Sequence, residues 1–391
     1  MQYPNVNAHL HTPYSFSAFN SLTEALDKAK EENVKVAGIN DFYTTDGYIE
    51  WRDEALKRGI YPMFNIEFIS LQEDDLKAGI RVNDPNNPGR TYISGKGLKC
   101  PPVLPEPFAT ELLEVRNQSD IQTREMCGKL NQILDRNNAA FNLDYEYIRQ
   151  TQTKGMVRER HLAKALRIAT CEHFDGNSVA ISTFLEKLFG GKKPKSEISN
   201  HAAIENEIRG NLLKSGGEAF VPETPEAFLP LEKVRRIIIA GGGIPTYPLL
   251  ADDANGNFTD FEQDVETLAK TLIERKIFSV EFITTRNSIE ILEKYAGYLF
   301  KNNFVVTFGS EHNTPAMEPV ELFARGGAPL TPILREINYK SACIIAAHQE
   351  LVRNRRHGYI DAEGNADILN IDGYIKSGHE AICKTTVSYS R

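Results

Sequence analysis

Two histidines one residue apart, His9 and His11 in Asn7-Ala8-His9-Leu10-His11-Thr12, are the first residues of this chain that could do metal chemistry. Residues 3–11 read as a strand, and side chains at i and i+2 leave a strand on the same face. Both imidazoles therefore point one way, with Leu10 turned to the opposite layer. Two imidazoles converging from a strand end suit the first ligands of a catalytic divalent cation. An HxH taken alone is as readily a pair of ordinary histidines. Three acids stand at comparable places. Asp41 closes a strand over 34–41, Glu67 lies near the end of one over 60–69, and Glu311 follows one over 304–308. In parallel β/α folds, chemistry collects at the C-terminal strand ends. The shared placement favours a metal site.

The elements that must position these residues follow from periodicity. Leu22, Ala25, Leu26 and Ala29 are spaced for a helix over 21–33, with Ser21 or Thr23 as its N-cap. A second helix over 48–58 follows Asp46-Gly47 and closes at Gly59. Strand, helix, strand, helix, strand at this spacing means parallel βα units. Residues 84–107, rich in Pro, Gly and Asn, read as a loop crossed by one short strand at 90–94. From 108 to 215 the periodicity is helical, as in Leu112, Met126, Leu130, Ile133 and Leu162. A helix over 178–189 stops at Gly190-Gly191, and Lys192-Lys193-Pro194-Lys195 is a solvated loop.

Alternation then resumes, with helices over 231–239, 261–276 and 288–302 and strands over 244–247, 279–283 and 304–308. Gly241-Gly242-Gly243 precedes a strand and lacks a GxxxxGK[ST] context, so it is a helix stop rather than a phosphate loop. The tail is helical over 341–353, with a turn at 362–365. The expected division is a barrel of residues 1–107 and 216–320, a helical insertion of 108–215 over its mouth, and a mostly helical C-terminal extension of 321–391.

Composition bounds the functions. A chain of 391 residues can bury a large core. It has no run of about 18 apolar residues, so no membrane span is expected. Met1-Gln2-Tyr3-Pro4 lacks the basic and apolar regions of a signal peptide, which points to the cytoplasm. The five cysteines are odd in number and form no CxxC pair, against a disulfide framework or zinc ribbon. A net charge of −8 disfavours a nucleic-acid footprint and leaves room for a small anionic substrate in a local basic pocket.

In order along the chain, these motifs resemble the polymerase and histidinol phosphatase (PHP) family of metal-dependent phosphoesterases. The resemblance rests on His9-Leu10-His11-Thr12, Asn40-Asp41-Phe42, Ile66-Glu67-Phe68 and Gly309-Ser310-Glu311-His312-Asn313, each at a strand end. Arg160-His161-Leu162-Ala163-Lys164-Ala165-Leu166 resembles the family's RPHIAxAL helix, and 112–134, with Arg116 and Arg124, the helix before it. The likeness covers about residues 1–315. It implies an α/β fold, a distorted (β/α)7 TIM-like barrel of the PHP type with a helical insertion.

The family usually places three metals. The resemblance assigns His9, His11, Glu67 and Glu311 to the first site, Glu311 being one methylene longer than the usual aspartate. Tyr92 and Tyr247 stand near the histidine positions of the second, and Phe16, Phe42 and Asn313 at the third. Phenylalanine cannot coordinate, so one divalent ion is expected: Zn, Mn or Fe. Burial of each phenylalanine contributes roughly 1.5–3 kcal/mol, and the pair serves either as core filling or as a platform for a substrate ring. If the last strand end is shifted by one residue, His312 rather than Asn313 faces the metal.

Where the family has arginine two residues before the helix histidine, this chain has Glu159. Arg160 and His161 then form either an anion clamp or a surface salt-bridge cluster. Asp41 orients a ligand histidine or activates water, and Tyr247 or Asp41 assists proton transfer. The expected function is hydrolysis of a small phosphate-containing substrate by a metal-activated water. The competing expectation is an inactive barrel that keeps a binding pocket.

Overall fold

The computed structural model describes residues 3–388, so Met1, Gln2 and 389–391, on which the readings of the start and the tail partly rest, lie outside the described residues. Seven strands build one sheet: β1 Asn5–Leu10, β2 Val34–Phe42, β3 Tyr61–Leu71, β4 Arg90–Lys96, β5 Ile244–Leu249, β6 Ser279–Ile283 and β7 Val305–Gly309. They lie side by side in chain order. The sheet closes where Leu10 pairs with Glu311, and the Glu311 N–H donates to the His9 carbonyl at 3.0 Å. All neighbours are parallel except β4, which runs antiparallel to both β3 and β5. The strand expected within a loop is thus a full barrel stave of reversed direction.

Helices α1 Leu22–Glu31, α2 Tyr48–Lys57, α3 Glu73–Ala78, α9 Leu231–Ala240, α10 Val265–Glu274 and α11 Ile289–Lys301 accompany the strands. Ser21 caps α1, its hydroxyl accepting from the Glu24 N–H at 3.1 Å. Between β4 and β5 come α4 Phe108–Arg136, α5 Tyr145–Gln152, α6 Glu159–His173, α7 Ser178–Leu188 and α8 His201–Ile208. These five pack around their own apolar cluster, including Met126, Leu130, Leu162, Leu166, Leu185 and Ile204.

Side-chain alternation sorts the barrel residues. Ala37, Ile39, Ile66, Phe68, Val280, Phe282 and Phe308 face the helices. The opposite set on the same strands turns inward. At the base it is apolar: Val6, Val36, Met63, Ile244 and Val305 pack against the long tail helix α12 Pro332–Arg353, which α13 Ile371–Ser388 backs. The polar side chains of α12 satisfy the strand starts. Asn338 donates to the Val6 carbonyl at 3.0 Å and accepts from Phe308 N–H at 3.1 Å, and Ser341 accepts from Val306 N–H at 2.9 Å. Helix α12 begins nine residues before the expected 341 because Pro332 sits in its first turn, where a missing N–H costs nothing.

One irregularity decides the site. Between Asn7 and Leu10 the register of β1 against β2 slips by one residue, Asn7 pairing Ala37 and Leu10 pairing Ile39. This bulge lets Val6 and Ala8 face the basal cluster while His9 and His11, of opposite parity, also turn inward above them.

Candidate metal site at the barrel mouth

His9, His11 and Glu67 come together. Their ligand atoms all lie within 4.8 Å of one another, and all three residues are buried. His9 Nε2 stands 3.2 Å from His11 Nε2, and Glu67 Oε2 is 3.2 Å from His11 Nε2 and 3.7 Å from His9 Nε2. The outer nitrogens say where the protons are. His9 Nδ1 lies 2.7 Å from Glu281 Oε2, a carboxylate that can only accept when ionised. His11 Nδ1 lies 3.3 Å from Ser15 Oγ, and that hydroxyl donates to Asp41 Oδ1 at 2.5 Å. A proton on each Nδ1 satisfies both of these acceptors and would leave the two Nε2 atoms to face each other and Glu67.

Glu67 Oε2, buried, has no hydrogen-bond partner among the described residues. Burial first, opposed by His9 and reinforced by the charges of Glu311 and Glu281, pushes the Glu67 carboxyl up to about 8. A cation beside the two imidazoles would favour the ionised form of a carboxyl that burial otherwise keeps protonated. The donor set, two imidazoles and a carboxylate, fits a divalent transition metal with positions left open.

Asp41 stands behind His11, its Oδ1 3.9 Å from Nδ1, and is held by the Thr12 N–H (2.7 Å), the Thr12 hydroxyl and Ser15. Burial raises its carboxyl despite these bonds and the nearby His11. Glu311 reaches the same mouth but is taken by others: Arg286 lies 2.5 Å from its Oε2 and the Asn313 amide donates at 2.9 Å. Although burial opposes it, Arg286 with His9 and His11 holds Glu311 below the usual carboxylate range. Glu311 and His312 both have positive φ, 63° and 58°. Backbone of this kind gathers at functional sites.

The remaining expected residues separate. His312 uses both ring nitrogens elsewhere, on Ser310 Oγ and the Glu318 carbonyl at 2.9 Å each, and stacks on Phe19. Tyr247 belongs to the outward set of β5, its hydroxyl donating to Glu262 Oε1 at 2.7 Å within the helix layer. His161 closes the first turn of α6, its Nδ1 accepting from the Arg158 N–H at 3.0 Å. Burial, then Lys164, pushes its imidazole down to about 3, so it carries no charge for an anion.

The charge comes from beside it. The site opens into a cavity of about 1030 Å³ whose lining includes Arg90, Arg158, Arg160, Arg209, Lys214 and Arg286. Arg209 and Lys214 pair with Glu159, and Arg90 with Glu223. Arg158 and Arg160 reach instead to Ser119 Oγ (3.1 Å) and Asn206 Oδ1 (3.3 Å), neutral acceptors.

The Phe42 ring stacks on His11 at 5.2 Å and carries the Arg158 guanidinium 5.1 Å from its centroid. Phe16 packs edge-on to His161 with Arg160 over it. Two buried residues lay outside the sequence reading altogether, Lys96 and Glu281, which meet beneath His9. Their signal was a lone charge inside an apolar strand, Ser279-Val280-Glu281-Phe282-Ile283, and a lysine between Gly95 and Gly97.

No family model and no curated protein matches the chain. Among solved structures, it is similar to a “putative metal-dependent phosphoesterase” from Bifidobacterium adolescentis, with a TM-score of 0.53 and 16% identity over 85% of this chain and 94% of that one. It is also similar to an amidohydrolase from Chromobacterium violaceum with bound sulfate and no metal, at TM-score 0.52 and 16% identity over 85% and 95% of the two chains. What these likenesses show is the fold, an α/β barrel of the TIM-like kind. Among the described residues, no helix is long and apolar enough to cross a membrane.

Proposed function

We propose that this chain is a PHP-type metal-dependent hydrolase acting on a small phosphate-containing molecule with one divalent ion (Zn, Mn or Fe) held by His9, His11 and Glu67. The observation that carries the proposal is the convergence of three buried ligand groups, two imidazoles and a carboxyl whose Oε2 has no hydrogen-bond partner among the described residues. When bound, such an ion lowers the pKa of its water and polarises a substrate oxygen. The chain's own residues do the rest. Asp41 orients His11 through Ser15. Arg158 and Arg160, at the start of α6, bind the anionic group, in place of the expected Arg160 with His161. Glu311, tied to Arg286, lines the same cavity beside the triad. Helices α4 to α8 form the insertion of residues 108–215 that covers the mouth.

The test is metal analysis of purified protein, followed by a screen of phosphoesters, sugar phosphates and amides with Mn, Zn or Fe. We expect near one equivalent of metal, none in the His9→Ala, His11→Ala double variant, and turnover of a phosphoester. Three equivalents, or none in the wild type, would refute the single-ion reading. A second reading, a binding protein without turnover, draws support from Phe42, whose ring covers one face of His11. Tight phosphoester binding with no hydrolysis under any metal would establish it.

A further inference from the structure

Beneath His9 lies a buried chain of polar groups that the hydrolase reading leaves unused. Lys96, on β4, is fully buried, as is Glu281 on β6. The Lys96 ammonium meets Glu281 Oε1 and donates to the Ala8 carbonyl and to Asn40 Oδ1, both at 3.1 Å. Three acceptors match its three N–H bonds. Glu281 Oε2 lies 2.7 Å from His9 Nδ1. The Asn40 amide nitrogen sits beside the same ring, 3.0 Å from Nε2 and 3.2 Å from Nδ1, and also donates to Ser94 Oγ at 3.3 Å.

A buried ion pair is weak support for stability, because desolvation offsets much of its attraction. A lysine brought to the centre of a barrel on the one reversed strand therefore calls for another account. We infer that Lys96 and Glu281 are positioning residues for the metal site, Lys96 fixing the Glu281 carboxylate so that its Oε2 holds His9 with the proton on Nδ1 and the Nε2 lone pair aimed at the ion. This rests on His9 being a ligand, as proposed above, but the tautomer it assigns belongs to the metal-free protein.

The geometry explains why both residues are needed. Glu281 has two oxygens and only one faces His9. Without Lys96 on the other, the carboxylate could rotate toward Asn40 or Ser94. Lys96 also balances its charge, so the site gains a histidine acceptor at no net cost in negative charge. Asn40 links the two halves, accepting from Lys96 through Oδ1 while its amide flanks the His9 ring.

Nitrogen–proton correlation spectra of the imidazoles in metal-free wild-type protein, with His9 assigned by its loss in His9→Ala, test the assignment directly. The proton is expected on Nδ1; a His9 protonated on Nε2 overturns the proposal, whether or not the protein binds metal. In Glu281→Gln, zinc affinity by competition with a chromophoric chelator is expected to fall 10–100-fold, with a mixture of His9 tautomers. Lys96→Met is expected to do the same, and the two losses to be less than additive. A folded Glu281→Gln protein with unchanged zinc affinity and tautomer overturns the proposal. If neither variant folds, the wild-type spectrum still decides. An absence of zinc binding by a His9 protonated on Nδ1 would instead refute the hydrolase reading, and with it the metal-positioning role, leaving only the tautomer set by Glu281.

Discussion

At the residue scale the site depends on close approach. A Cβ built on Gly309 would lie 2.2 Å from the His9 Cβ, so only glycine lets β7 close against β1 at the level of the ligand. Gly309→Ala is expected to cost about 1–3 kcal/mol or more through overpacking, and to displace His9. Denaturant unfolding and metal content should fall together. The arginines act separately. Arg158→Met removes a charge-assisted contact worth about 1.5–3 kcal/mol, so affinity for inorganic phosphate should drop roughly 10–100-fold while metal content stays at the wild-type level. Equal loss of metal would show that Arg158 serves the fold, through Phe42 and His11, rather than the substrate.

At the element scale, the sequence disclosed the strands and most helices because their apolar periods are strong, and His9 with His11 because a period of two survives locally. It did not disclose the bulge before His9, since a one-residue slip leaves no mark on residue types. Nor did it reveal the direction of β4, which depends on where the chain returns after a Pro- and Gly-rich loop. Tyr247 was misplaced by one step of strand parity. Lys96 and Glu281 were passed over because 45 basic and 53 acidic residues give little reason to expect any one of them at a barrel centre.

His348 joins elements. On α12, its Nε2 lies 2.8 Å from the Gly242 carbonyl, and its Nδ1 accepts from the Tyr359 N–H at 2.9 Å. Burial, despite the Gly242 bond, lowers its imidazole from 6.5 to about 4. The unfolded chain thus takes up a proton between those values while the folded one does not. Stability present above pH 6.5 should be lost as the pH falls toward 4, by on the order of 3 kcal/mol. His348→Gln, which has no such proton to gain, should flatten that part of the stability–pH curve in urea titrations.

At the scale of the whole molecule, polarity is layered along the barrel axis. An apolar base sealed by α12 lies under a buried polar layer of His9, Asn40, Lys96 and Glu281, and above that opens a cavity lined by both arginines and carboxylates. Arg158 and Arg160, which reach to neutral acceptors in the cavity, give an acidic protein of net charge −8 a local place for an anionic ligand. If the triad takes up an ion only when folded, the melting temperature should rise with the concentration of free Zn or Mn, following mass action. The His9→Ala, His11→Ala variant should melt at one temperature regardless of metal.

The seam that closes the barrel also sets an order of events during synthesis. β1 leaves the ribosome before the other six strands of its sheet, yet one of its sides waits for Glu311, and the Val6 carbonyl waits for Asn338, 332 residues later. At roughly 5–20 residues per second, that edge and the apolar base stay open for tens of seconds, and contacts of such long sequence separation form slowly. An open strand edge of this kind is a template for wrong pairing. The nascent chain is therefore expected to spend much of its synthesis as a client of chaperones, released only when α12 seals the barrel floor.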